Sequence, residues 1–127
     1  MSVGSTRVLV IDDDADLREL IHDSLERDGF EVASAENGTR GLEVQRAKPA
    51  HIVITDIFMP EKEGIETLVA LRSEFPRAKI IVMSGGAGTT KTDYLSLARE
   101  LGAAKSFRKP FELRALSAAV RELVRSA

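Results

Sequence analysis

The 127-residue chain has no cysteine. That excludes disulfides and any thiolate metal site. It has little aromatic content and no cluster of basic residues interleaved with aromatics, and both charge signs are spread along it to a net −2. Nucleic-acid binding therefore has little support. No apolar run approaches the roughly 20 residues of a membrane helix. The first six residues, Met1 to Thr6, lack the charged start and apolar stretch of a secretory signal. The expectation is one cytoplasmic domain over residues 1–127, core about 7–124, with no membrane association and no output domain. A chain this long buries roughly two thirds of its unfolded surface and needs no staples.

What the chain does have is an alternation of strand-like and helix-like segments, repeated five times. Val8–Ile11, Ile52–Thr55 and Ile80–Met83 are continuous, mostly β-branched apolar runs, as strands buried on both faces require. Phe30–Ala35 and the weakly marked Ala104–Arg108 complete a set of five strands. Between them, helical spacing places Leu17, Leu20, Ile21 and Leu25 on one face, with Gly29 to end that helix. Helices are predicted over Thr39–Ala47 and Ile65–Phe75, the latter with Ile65, Leu68, Val69 and Arg72 in register. Tyr94, Leu95, Ala98 and Leu101 form another stripe, closed by Gly102, and a last helix runs from about Phe111 to Val124. Right-handed crossovers then give a three-layer, doubly wound α/β domain.

In such a sheet the carboxyl ends of the strands share one edge, where ligands bind. Asp12, Asp13 and Asp14 follow the first strand, Asp56 the third, Ser84 the fourth and Lys109 the fifth. An N-cap role explains one of three adjacent aspartates. Like charges this close repel, and hard oxygen ligands without His or Cys suit Mg²⁺ or a similar ion. A carboxylate such as Asp56 can attack phosphorus to form an acyl phosphate. Lys109 would be a point-charge phosphate contact, and the Lys109–Pro110 bond is expected to be cis. The Ser84 hydroxyl could donate to a phosphoryl oxygen. His22 and His51 read as boundary or surface residues. Lys91-Thr92 after the Gly85–Gly88 stretch looks like the end of a P-loop, but Thr90 breaks the motif.

Taken together, Val10-Ile11-Asp12-Asp13, Asp56 with Met59-Pro60 and Gly64, Ser84, and Lys109-Pro110-Phe111 resemble the receiver domain of two-component response regulators. The resemblance covers about Arg7 to Val124 and implies a flavodoxin-like (βα)5 fold with a parallel five-stranded sheet in the order 2-1-3-4-5 and helices on both faces. It implies that Asp56 accepts a phosphoryl group from a phosphohistidine on a sensor histidine kinase or histidine phosphotransferase. Asp13 and Asp56 would ligate Mg²⁺ (or Mn²⁺) with the backbone carbonyl of Phe58, and Asp12 would assist through water. Ser84 and Lys109 would hold phosphoryl oxygens. The product would be a phosphorylation-dependent signal to a downstream protein or a relayed phosphoryl group, from a monomer or weak dimer that catalyses only its own phosphorylation and dephosphorylation.

Two other classes fit less well. An aspartyl phosphatase would want an acid two residues after the nucleophile, where Phe58 stands. A flavin-binding protein would want a hydroxyl-rich loop where Asp12–Asp14 would repel phosphate. One departure from the family pattern concerns the switch. The position three before Lys109, usually aromatic, is Ser106, and Phe107 should point to the opposite face. Movement is therefore expected in Gly85–Gly88 and the helix bearing Tyr94.

Overall fold

The computed structural model describes residues 6–57, 63–84 and 96–125. In chain order the elements are β1 (Arg7–Ile11), α1 (Ala15–Arg27), β2 (Glu31–Ala35), α2 (Gly38–Ala47), β3 (Ile52–Asp56), α3 (Glu63–Glu74) and β4 (Lys79–Ser84). The helical residues 96–100 (α4), then β5 (Lys105–Arg108) and α5 (Leu113–Arg125), complete it. All pairings are parallel and the strand order is β2-β1-β3-β4-β5, as expected. Among the described residues, no helix is long and apolar enough to cross a membrane.

Because side chains alternate across a strand, each strand feeds two cores. Val8, Val10, Ile52, Ile54, Ile81 and Met83 pack with Ile21, Leu25 and Leu116 on the α1–α5 side. Leu9, Ile11, Val53, Ile80 and Val82 pack with Leu68, Leu71 and Ala98 on the other. The same alternation decides where the polar strand ends point. Asp56 follows Ile52 and Ile54 in the α1–α5 series, whereas Ser84 follows Ile80 and Val82 in the opposite one.

Helix ends follow local chemistry. Asp14 caps α1, its side chain accepting from the Asp16 and Leu17 amides, and Asn37 caps α2 by accepting from the Arg40 amide. Gly29 and Gly102 adopt φ of 98° and 106°, as the expected helix stops require.

Two residues expected on buried faces are corrected. Leu20 is 54% exposed and Val69 47% exposed. Leu20 directly precedes the buried Ile21 and Val69 directly follows the buried Leu68, and the sheet needs only a narrow stripe from each helix. Phe30, read as the first residue of β2, is buried but precedes the strand. On β5, Phe107 packs into the α1–α5 core with its ring 5.5 Å from that of Phe111. It thus turns away from the face of Ser106, as the alternation predicts. The expectations on Phe58, Met59-Pro60, Gly85–Gly88, Lys91-Thr92 and Tyr94 lie outside the described residues.

Gly64 positions the start of α3 against the peptide that follows Asp56. A Cβ there would sit 1.9 Å from the Ile57 carbonyl oxygen, a backbone atom that cannot swing aside. Gly64→Ala is expected to destabilise the fold by about 1–3 kcal/mol, the usual range for overpacking. Urea unfolding would check it, and an unchanged midpoint would show that α3 can shift freely.

Candidate phosphoryl and cation site

β1 and β3 lie side by side, with Ile11 opposite Thr55, so their carboxyl ends bring Asp12 next to Asp56. Carboxylate oxygens of Asp12, Asp13 and Asp56 all lie within 4.8 Å of one another. Asp12 is fully buried and Asp56 is 4% exposed, whereas Asp13 is exposed. Asp14 is the member spent on capping α1, accepting at 3.1 and 3.2 Å.

Every polar group of Asp12 is engaged. Its amide donates to the Ala35 carbonyl, its Oδ1 accepts from the Asp14 amide at 2.9 Å, and its carbonyl accepts from Arg18 Nη1 at 2.7 Å. Its Oδ2 accepts from Lys109 Nζ at 2.8 Å. The same ammonium donates to Asp56 Oδ2 at 3.0 Å. Lys109 is placed by the β4–β5 pairing, its amide donating to the Ser84 carbonyl, and the Lys109–Pro110 bond is cis. Burial alone would push the Lys109 pKa down. The hydrogen bond to Asp12 and the charges of Asp56 and Asp12 outweigh that penalty and hold it above the usual lysine range. The ammonium is therefore charged at any pH the cell reaches.

Three carboxylates against one ammonium leave two negative charges, which a divalent cation would balance. Ser84 Oγ is buried with no hydrogen-bond partner among the described residues. A buried hydroxyl in this state is costly unless something it can donate to arrives. An incoming anionic oxygen would supply such an acceptor.

Asp12, Asp13, Asp56 and Lys109, all read from the sequence as site residues, meet at this edge, and Ser84 ends the neighbouring β4. Phe58 lies outside the described residues. His22 is a boundary residue, its Nδ1 2.6 Å from Ser34 Oγ and its Nε2 3.2 Å from Glu26, and His51 is exposed. The sequence reading did not single out Arg18. The available signal was a cation one turn into a helix that begins beside three carboxylates. A cavity of about 490 Å³ lies at the opposite edge of the sheet, lined by Pro49, Phe75, Pro76, Leu123 and others. It is largely apolar, and the carboxylates, Ser84 and Lys109 are not among the residues that line it.

Fold and site together define a flavodoxin-like α/β domain with a carboxylate cluster, a part-buried ammonium and, among the described residues, an unpartnered hydroxyl at the carboxyl edge of its sheet. The family model of the response regulator receiver domain matches residues 8–121, and the chain belongs to that family. It is 34% identical to the transcriptional regulatory protein CpxR of Escherichia coli over 94% of this chain and 49% of that protein. The chain thus spans about half the length of the curated relatives it matches first. It is 34% identical to the response regulator receiver protein CpdR of Brucella abortus, over 87% of this chain and 89% of that one. Among solved structures, a response regulator receiver domain protein from Clostridium thermocellum superposes with a TM-score of 0.85 at 31% identity, covering 95% of each chain. The domain is a response regulator receiver domain.

Proposed function

We propose that Asp56 is the phospho-acceptor and that the donor is a phosphohistidine on a sensor histidine kinase or histidine phosphotransferase. The observation that carries this reading is the Lys109 ammonium, bonded to both Asp12 and Asp56, with Ser84 ending the neighbouring β4 and its buried hydroxyl unpartnered among the described residues. A carboxylate oxygen of Asp56 attacks phosphorus, the P–N bond to the donor imidazole breaks, and its electron pair stays on the ring nitrogen. Lys109 and Ser84 donate to the phosphoryl oxygens as charge builds on them. Water later cleaves the acyl phosphate, so the chain catalyses only its own phosphorylation and dephosphorylation.

Asp13 and Asp56, with the Phe58 carbonyl, would hold Mg²⁺ or Mn²⁺, and Asp12 would assist through water. The ion supplies charge neutralisation for the entering phosphoryl group. Output is binding to a downstream protein or relay of the phosphoryl group.

The experiment is to incubate the chain with a small phosphodonor and read the intact mass. One phosphoryl group should be gained with Mg²⁺ and none after chelation. Asp13→Ala should lose most Mg²⁺ binding by calorimetry and most of the mass gain. Binding unchanged in Asp13→Ala would move the cation to other ligands and overturn the assignment.

A further inference from the structure

We propose that Arg18 is a positioning residue for the cation site, acting through the backbone of the acidic loop. This inference rests on the reading of Asp13 as a direct cation ligand. Asp13 is exposed and directly follows the buried Asp12. The peptide linking Asp12 to Asp13 carries the Asp12 carbonyl, the first past the end of β1. Arg18 Nη1 donates to that oxygen at 2.7 Å from one turn into α1. The other bonds to Asp12 come from β2, from Asp14 and from Lys109. Arg18 therefore supplies the tie between this peptide and the body of α1. It is half-buried, so water competes poorly for the bond.

Two opposite effects follow from the same side chain. Its positive charge, bonded to the Asp12 carbonyl, disfavours a second cation by Coulomb repulsion. Its hydrogen bond holds the Asp12–Asp13 peptide in one orientation and keeps Asp13 within 4.8 Å of Asp12 and Asp56. Positioning outweighs repulsion, because the guanidinium is directed at a backbone carbonyl and occupies none of the carboxylate oxygens that would hold the cation. A ligand carboxylate on an untethered loop must be ordered at each binding event. Groups that orient metal ligands typically contribute 10–100-fold in affinity.

The test is calorimetric titration with Mg²⁺ of the wild type, Arg18→Gln and Arg18→Lys, with urea unfolding of each. Arg18→Gln should bind Mg²⁺ about ten-fold more weakly. Arg18→Lys, whose ammonium can reach the same carbonyl, should recover most of the affinity. Tighter binding in Arg18→Gln would mean that charge repulsion governs, and overturn the proposal. Equal affinity with a lower unfolding midpoint would reduce Arg18 to a stabiliser of α1, and also overturn it. Arg18→Lys behaving like Arg18→Gln would remove the hydrogen bond as the cause. A wild type that binds no Mg²⁺ would overturn the reading of the site itself, a result distinct from all of these.

Discussion

Asp56→Asn is expected to abolish phosphorylation completely. With Mg²⁺ and a small phosphodonor, the wild type gains one phosphoryl group by intact mass and the variant gains none. The site offers three carboxylates close enough to compete, and geometry separates them. Asp12 is fully buried with Oδ1 on the Asp14 amide and Oδ2 on Lys109. Neither oxygen can turn to an incoming phosphorus without breaking a buried bond. Asp13 is exposed and, among the described residues, the Lys109 ammonium pairs with Asp12 and Asp56 instead, so a phosphoryl group on Asp13 would lack the ammonium that stabilises its oxygens. Asp56 alone combines a place at the end of β3 with a contact to Lys109 and the neighbouring end of β4. Asparagine keeps the shape and an oxygen for Lys109 to donate to, so the fold survives and the loss reads chemistry. An equal mass gain in Asp56→Asn would place the acceptor elsewhere.

Much of the fold and of the strand-end residues is legible in the sequence. Four apolar residues in a row, as in Val8–Ile11, bury both faces of a strand, and only a sheet covered on both sides can use that. Polar residues directly after such runs then had to meet at one edge, which is why Asp12, Asp56, Ser84 and Lys109 could be named together. Helix faces were less legible. Periodicity locates a stripe but not its width, so Leu20 and Val69 were placed inward and stand outward. β5 was weakly marked because it is an edge strand whose residues are only partly buried. Capping by Asp14 was legible as a residue type. The role of Arg18 was not, because its partner is a backbone carbonyl that no side-chain pattern announces. The opposed faces of Ser106 and Phe107 followed from strand alternation alone, and Phe107 does join the α1–α5 core.

Lys109→Met should separate two properties that usually move together. Asp12 and Asp56 have almost fully buried side chains, and Lys109 is the cation that both of them contact, itself only 18% exposed. Removing one partner from a buried ionic group leaves uncompensated charge and costs about 3 kcal/mol, at the low end of the usual range because some solvent reaches the lysine. Without Mg²⁺, the variant should therefore unfold at lower urea than the wild type. Mg²⁺ should bind it more tightly, since no ammonium competes for Asp12 and Asp56. By linkage, saturating Mg²⁺ should then raise its unfolding midpoint by more than it raises that of the wild type. Phosphorylation should nonetheless fall about a hundred-fold, the typical cost of deleting one donor from a site of developing negative charge. Methionine fills similar volume, so packing is not the variable. If Lys109 merely propped the fold, Mg²⁺ affinity would not rise and phosphorylation would recover once the cation restored stability. A variant that binds Mg²⁺ no better and accepts the phosphoryl group at the wild-type rate would remove Lys109 from the chemistry.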